Sequence, residues 1–267
     1  MIYRHPNGIH TFFVEAGPPQ GETLLLLHGL GADHAMWAPQ IPVFADHGYR
    51  VLVPDLLGHG QSSRVKSLTL ADWNRQLTEL LDHLGIDRCT PIGVSMGGVI
   101  AQFLAISHPD RLQRLILCDT FGELKTWKEK LLGYSQLVGL YLFRLLGPRM
   151  LAKSMAATYK APFARRARDY FMAQSQTADI QQMILARKAI NRIDAIGKID
   201  GARIPTLVMV GDQFGDFFIQ ANRKIAEAIP RARFVILPQA MDPSNLVNPD
   251  AFNREVLAFL AQPASSP

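Results

Sequence analysis

Histidine is missing from more than half of the chain. The 267 residues include eight histidines, and the last of them in the sequence is His108. Imidazole is the side chain that most often serves as a general base near neutral pH. A histidine base therefore cannot come from any segment after residue 108.

Cysteine and long apolar runs are also scarce. Only Cys89 and Cys118 occur, and their spacing fits neither a disulfide framework nor a metal site. The longest apolar stretch, residues 131–147, is shorter than a bilayer span and contains Arg144. The first residues lack the features of a signal peptide. We therefore expect a soluble cytoplasmic protein with reduced thiols, no metal and no cofactor.

Positive charge is concentrated in one part of the sequence. The net charge is +5, but residues 144–192 contain ten Lys or Arg against two Asp. This interval is either an ordinary solvated surface or a basic face that attracts an anionic membrane surface or an acidic protein partner. We expect no nucleic-acid partner.

Six apolar segments bounded by turn residues alternate with amphipathic segments of helix length. They are residues 22–29, 49–55, 89–95, 112–119, 205–212 and 232–238. Parallel strands need crossover connections and are buried on both faces, so this alternation predicts an α/β fold with a mostly parallel sheet. Residues 1–17 alternate in polarity around Pro6-Asn7-Gly8, which predicts an antiparallel edge hairpin and an eight-stranded total. A helix is predicted from the N-cap Thr69 to Gly85.

Residues 121–203 interrupt this alternation. They contain no convincing strand and read as several helices, with breaks at Gly147-Pro148 and Ala161-Pro162. Such an insertion is expected to form a helical cap over the carboxyl ends of the strands, where open α/β sheets bind ligands. The predicted division is a core of residues 1–120 and 204–262, a cap of residues 121–203 and a flexible tail of residues 263–267.

The strongest chemical motif is Gly93-Val94-Ser95-Met96-Gly97. It follows an apolar strand and opens an apolar helix. A Gly-x-Ser-x-Gly turn in that context holds the serine in a strained conformation, with its hydroxyl at the helix N-terminus. Ser95 is therefore the candidate nucleophile.

Two further segments carry recognisable patterns. Residues 24–40 contain a His-Gly pair, and residues 51–63 contain an Asp-x-x-Gly-His-Gly-x-Ser pattern. With the elbow and the final strand and helix, they make the chain resemble the α/β-hydrolase superfamily over nearly its whole length. The resemblance implies an α/β-hydrolase fold with a helical cap. It also implies that the backbone N–H groups of Leu30 and Met96 hold an oxyanion.

The same resemblance locates two triad positions that are altered in this chain. The acid is expected three residues after Gly211, where Phe214 stands. The histidine is expected in a Gly-His pair after the last strand, where Met241 and Asp242 stand. Substitutes are Asp119, after the sixth strand, and His34, in the oxyanion loop. We expect Asp119 to hydrogen-bond locally and His34 to pack in its loop or face solvent.

Two functions remain open from the sequence. In the first, the chain is a degenerate hydrolase, similar to maspardin-like non-catalytic members of the superfamily, that acts in small-molecule binding or protein interaction. In the second, it is a serine hydrolase of a small hydrophobic ester, lactone or thioester, with Ser95 as nucleophile and an atypical base. Asp242 is a poor base at an ordinary carboxyl pKa of about 4. Either way, a small hydrophobic ligand or substrate is expected under the cap.

Overall fold

Eight strands form a single sheet in the computed structural model, which describes residues 1–201 and 203–262. The strands are β1 (Ile2–Arg4), β2 (His10–Ala16), β3 (Thr23–Leu27), β4 (Arg50–Pro54), β5 (Thr90–Val94), β6 (Leu115–Cys118), β7 (Thr206–Gly211) and β8 (Arg233–Leu237). Their order is β1-β2-β4-β3-β5-β6-β7-β8. The pairings of β2 with β1 and β4 are antiparallel and the other five are parallel. The predicted α/β-hydrolase fold, with a mostly parallel sheet, is confirmed.

Ten α-helices are found in the described residues. Six lie outside the segment between β6 and β7: α1 (Ile41–Asp46), α2 (Leu70–His83), α3 (Met96–Ser107), α8 (Asp216–Ala228), α9 (Ser244–Val247) and α10 (Pro249–Leu260). Four lie between β6 and β7: α4 (Trp127–Leu146), α5 (Pro148–Thr158), α6 (Arg165–Gln174) and α7 (Ile180–Ile190). Short 3-10 helices cover His34–Trp37, Pro109–Arg111 and Pro162–Ala164.

The central strands are buried on both faces. Every residue of β3 is buried, with Leu25 and Leu27 in one apolar cluster and Leu24 and Leu26 in the other. Because successive side chains of a strand point to opposite faces, each face of the sheet needs its own layer of helices. An uninterrupted leucine run is therefore the sequence pattern expected of a strand between two layers of helices.

Local signals in the sequence match the elements that form. The predicted hairpin is β1 paired with β2, and Gly8 in its turn has a φ of 85°. The predicted Thr69 N-cap accepts a hydrogen bond from the Asp72 N–H while the Asp72 side chain returns to the Thr69 backbone. This reciprocal pair satisfies two N–H groups that a helix terminus would leave free.

The segment between β6 and β7 is helical, as predicted. The break between α4 and α5 falls at Gly147, whose φ of 83° closes one helix, and Pro148 begins the next. In residues 1–201 and 203–262, no helix is both long and apolar enough to cross a membrane. The predicted flexible tail, residues 263–267, lies outside the described residues.

Candidate active site

The turn between β5 and α3 holds Ser95 in the conformation predicted from the motif. Its φ of 54° and ψ of −116° lie outside the regions that non-glycine residues normally occupy. The Ser95 N–H donates to the Cys118 carbonyl at 2.9 Å, and the Thr120 hydroxyl donates to the Ser95 carbonyl at 2.8 Å. A Cβ at Gly97 would overlap the Leu27 carbonyl, so this position requires glycine. The strain is thus held by contacts on both sides of the elbow.

The Ser95 hydroxyl donates a hydrogen bond to Asp242, in the loop after β8. The distance from Ser95 Oγ to Asp242 Oδ2 is 2.9 Å. The Tyr159 hydroxyl donates to the Asp242 carbonyl at 3.0 Å and ties this loop to the cap. The structure therefore brings two of the sequence-predicted site residues together, and the nucleophile faces a carboxyl group where a histidine was expected.

The oxyanion loop lies directly beside the serine. A Cβ built on Gly29 would stand 3.6 Å from Ser95 Cβ, in ordinary contact. Among the described residues, neither the Leu30 nor the Met96 backbone N–H donates a hydrogen bond. Two free N–H groups next to a serine are the arrangement that an oxyanion hole requires.

Asp119 is a buried anchor at the carboxyl ends of the strands. It is 3% exposed and has a φ of 50°. Its Oδ1 accepts from the Gly211 N–H at 2.9 Å and its Oδ2 accepts from the Ser244 N–H at 2.7 Å. One side chain thus joins the end of β6, the end of β7 and the start of α9, the local hydrogen-bonding role expected for it.

Two neighbouring carboxyl groups share this site. Burial, reinforced by repulsion from Asp119, raises the pKa of Asp242 well above its ordinary value, although the Ser95 hydroxyl and Arg187 act in the opposite direction. Burial also raises the pKa of Asp119, against the two backbone N–H donors that favour its charged form. The environment of Asp242 therefore favours the neutral acid.

A cavity of about 320 Å³ lies between the cap and the strand ends. Ser95, Asp119 and Asp242 are on its wall, with Gly29 and Leu30 of the oxyanion loop. Its apolar wall comes mostly from the cap and includes Leu132, Leu140, Phe143, Met155, Phe171 and Met183. The space has the size and apolar character of a site for a small organic molecule.

Comparison with known proteins agrees with this geometry. Residues 22–249 match the family model described as alpha/beta hydrolase fold. The chain belongs to this family.

Individual members of the family are similar along most of their length. The chain is 29% identical to 3-oxoadipate enol-lactonase 2 of Acinetobacter baylyi over 91% of this chain and 90% of that protein. It is 30% identical to a 2-hydroxy-6-oxononadienedioate/2-hydroxy-6-oxononatrienedioate hydrolase of Paraburkholderia phymatum, covering 90% and 88%. The crystal structure of the enol-lactonase from Burkholderia xenovorans LB400 superposes with a TM-score of 0.81 at 26% identity, covering 98% of this chain and 100% of that one.

The predicted acid slot of this alpha/beta hydrolase holds an aromatic ring. Phe214 stacks on Phe218 with ring centroids 3.7 Å apart and planes 8° apart, and both rings line the cavity. The carboxyl group of Asp119, at the end of β6, contacts the end of β7, where the acid was expected, through the Gly211 N–H.

His34 is engaged elsewhere in this alpha/beta hydrolase. Its Nδ1 lies 2.9 Å from Asp55 Oδ1, and its ring is 4.9 Å from the Phe12 ring. The hydrogen bond to Asp55 raises the pKa of His34. Among the described residues, His34 is not part of the cavity wall, so it remains a loop-packing residue in this structure.

Sequence reasoning missed the placement of Arg187, which it counted only as part of the basic interval. Arg187 is 4% exposed, lines the cavity, and places its guanidinium 5.4 Å from the Phe121 ring centroid. The available signal was helical spacing, because Arg187 is three residues from both Ile184 and Ile190, which are buried on α7. Within residues 1–201 and 203–262, no cluster of three or more His, Cys, Asp or Glu could hold a metal ion.

The raised pKa of Asp242 predicts a pH-dependent gain in stability for Asp242→Asn. The folded protein holds the Asp242 proton more tightly than the unfolded chain, so raising the pH above about 4 destabilises the parent relative to a neutral side chain. We expect the urea midpoint of the variant to lie above that of the parent at pH 8, and the difference between the two midpoints to be smaller at pH 5.

The exposed loop residue Asp87 offers a matched control, and Asp87→Asn is expected to change the free energy of unfolding at pH 8 by less than about 0.5 kcal/mol. Equal urea midpoints for the parent and Asp242→Asn at pH 8 would mean that Asp242 carries no such penalty.

Proposed function

We propose that the chain binds a small apolar molecule under its cap and turns over esters only slowly, as a degenerate hydrolase. The observation that carries the proposal is the contact of Ser95 Oγ with Asp242. Among the described residues this carboxyl is the only hydrogen-bond partner of the serine hydroxyl.

A carboxyl group in this position is a weak substitute for imidazole. When Asp242 holds its proton, it cannot accept the proton of Ser95 during nucleophilic attack. An ionised carboxylate of ordinary pKa accepts that proton poorly, because its basicity is far below that of an alkoxide. Loss of triad members lowers the rates of serine hydrolases by roughly 10⁴ to 10⁶, while an oxyanion hole and substrate binding retain roughly 10³ to 10⁴ over water.

The cavity supports binding as the retained property. Its apolar wall favours a hydrocarbon body, while Ser95 and the free N–H groups of Leu30 and Met96 offer donors to one carbonyl or hydroxyl oxygen. A site with few polar groups in an apolar wall is typical of small-molecule recognition.

A neutral probe tests this proposal. Titration calorimetry with 1-octanol is expected to give saturable binding by the parent. Ala178→Trp should weaken binding by about tenfold or more, because Ala178 lines the cavity and the larger ring would occupy it. The exposed Ala173 provides the control, since Ala173→Trp adds the same ring outside the cavity. Absence of saturable binding by the parent would overturn the proposal.

A second candidate is a serine hydrolase of a small hydrophobic ester, lactone or thioester that uses Asp242 as its base. The relatives named as an enol-lactonase and as a hydrolase favour it. The 2.9 Å contact is within the range expected of a nucleophile and its base. A raised carboxyl pKa also brings that group nearer to the operating pH, which favours general-base catalysis.

The two candidates differ in how ester hydrolysis responds to Asp242→Asn. If Asp242 is the base, hydrolysis of p-nitrophenyl butyrate rises with pH as Asp242 ionises, and Asp242→Asn and Ser95→Ala remove it equally. For the degenerate hydrolase, we expect the slow hydrolysis to change by less than about tenfold in Asp242→Asn. A loss of about 100-fold or more would favour the second candidate.

A further inference from the structure

The cavity contains a buried positive charge without a partner. Arg187 is 4% exposed, and its Nε and Nη2 atoms are buried and have no hydrogen-bond partner. Among the described residues no carboxylate lies within ion-pair distance of its guanidinium. A buried guanidinium without an anion is costly, so a position that keeps one calls for an explanation.

The surroundings of Arg187 favour an anion from outside the chain. Burial lowers the pKa of Arg187 to about 10, which still leaves the side chain charged near neutral pH. Asp242 interacts electrostatically with Arg187, but its own environment favours the neutral acid. The Arg187 guanidinium lies 5.4 Å from the Phe121 ring centroid, which places a cation beside a mostly apolar space.

We propose that Arg187 binds the carboxylate of an apolar monocarboxylic acid whose hydrocarbon chain occupies the cavity under the cap. Guanidinium and carboxylate match in charge and in planar geometry, and such bonds are the stronger hydrogen bonds of proteins. The leucine, methionine and phenylalanine wall accounts for the chain of the ligand. This inference rests on the proposed function, because it names the ligand class of the same cavity.

The test compares octanoate with 1-octanol, which share an apolar chain and differ in charge. The parent is expected to bind octanoate about tenfold or more tightly than octanol by titration calorimetry. Arg187→Met keeps an unbranched apolar side chain and removes the charge, so octanoate should lose that advantage while octanol affinity stays within about threefold. Arg187→Lys should retain part of the preference, and the exposed Arg192→Met should retain all of it.

The outcomes separate the two proposals. If octanol binds and octanoate binds no tighter, or if Arg187→Met keeps the preference for octanoate, the role of Arg187 is overturned while the binding cavity stands. If neither compound binds the parent, both proposals fail. Thermal unfolding of Arg187→Met checks that the variant is folded, and loss of an unpaired buried charge should not lower its melting temperature.

A second, independent observation concerns the outer face of α4. Large apolar side chains are exposed there at spacings of three or four residues, which places them along one side of the helix. This α4 stripe consists of Trp127, Leu131, Tyr134, Val138, Tyr141, Leu142 and Leu145, each at least 40% exposed. The opposite side of the helix supplies Gly133 and Leu140 to the interior. Proteins rarely expose such a continuous apolar row unless it has a binding partner.

The charge around the stripe selects among possible partners. Helices α4 and α5 carry five Lys or Arg, namely Lys128, Lys130, Arg144, Arg149 and Lys153, against Glu129 alone. A second copy would bring two positive surfaces together, whereas an anionic bilayer would attract both the basic groups and the apolar row. The basic interval of residues 144–192 extends the same charge along the cap.

We infer that the α4 stripe docks on the surface of an anionic lipid bilayer. An amphipathic helix that lies in the headgroup region uses aromatic and leucine side chains on one face and basic residues beside them. Trp127 and the two tyrosines suit that depth, since their rings are apolar and carry a polar tip.

Trp127 provides a direct reporter. It is 69% exposed, whereas Trp37 and Trp73 are fully buried, so a change in tryptophan emission on adding vesicles originates at α4. We expect a blue shift with phosphatidylcholine vesicles that contain about a third phosphatidylglycerol, a weaker shift with phosphatidylcholine alone, and loss of both in Trp127→Phe. High salt should weaken the shift because it screens the attraction.

A paired variant completes the test. Leu131→Gln with Leu145→Gln should reduce binding to the anionic vesicles by about tenfold or more in co-sedimentation. The control is Ile236→Gln, a similarly exposed apolar residue on β8. Equal binding to both vesicle types, no binding, or salt-sensitive capture of an acidic protein without lipid binding would overturn the assignment. So would concentration-dependent dimerisation that the paired variant abolishes.

Discussion

Replacing Asp242 with His is expected to raise kcat/KM for p-nitrophenyl butyrate by about 10² to 10⁴, the usual contribution of a general base. The Asp242 side chain already contacts Ser95 Oγ, so an imidazole in its place would start from the correct side of the nucleophile. Asp119 can orient that imidazole, because each of its carboxylate oxygens accepts one backbone N–H and keeps a second lone pair. The N–H groups of Leu30 and Met96, which donate no other hydrogen bond, are expected to hold the oxyanion that forms during acyl transfer.

Two companion variants assign the gain to a rebuilt triad. Adding Ser95→Ala to Asp242→His should remove the new activity, and adding Asp119→Asn should remove most of it if Asp119 orients the ring. The combination with Phe214→Asp tests whether the usual acid slot serves better than Asp119. If no version with His at position 242 exceeds the parent by more than a few-fold, the missing base is not what limits hydrolysis.

Asp119→Ala is expected to be the most destabilising single change at the site. It would leave the buried N–H groups of Gly211 and Ser244 without an acceptor, at about 1–3 kcal/mol each. Relief of the repulsion on Asp242 offsets part of that loss. We expect a net loss of about 2–4 kcal/mol in urea unfolding at pH 7.

The exposed loop residue Asp87 provides the control for this change, since Asp87→Ala should alter the free energy of unfolding by less than about 0.5 kcal/mol. An equally small effect of Asp119→Ala would show that Asp119 does not hold the strand ends together.

Local patterns were enough to predict most of the fold. The leucine run of β3 predicted a strand buried on both faces, and Thr69 as an N-cap predicted the start of α2. The glycine pair around Ser95 predicted the strained elbow, because only glycine fits against the Leu27 carbonyl. Each of these signals depends on neighbours in the sequence or on the repeat of one element.

The site itself depends on contacts between distant segments. Ser95 and Asp242 are brought together by β5 and the loop after β8, and no local rule predicts their 2.9 Å contact. The burial of Arg187 depends on how α7 packs against the core, although its spacing from Ile184 and Ile190 was visible. The raised pKa of Asp242 also depends on the tertiary structure, because it arises from the burial of the carboxyl group and from repulsion by Asp119, which is distant in the sequence.

Labelling of Ser95 by a fluorophosphonate probe reports whether a base near this serine can take its proton. The second-order rate constant for labelling would be measured for the parent, Ser95→Ala and Asp242→His at one pH. We predict slow labelling of the parent, none of Ser95→Ala, and labelling of Asp242→His that is faster than the parent by about 100-fold or more. Labelling of the parent as rapid as that of Asp242→His, and absent in Ser95→Ala, would contradict the claim that the chain lacks an effective base.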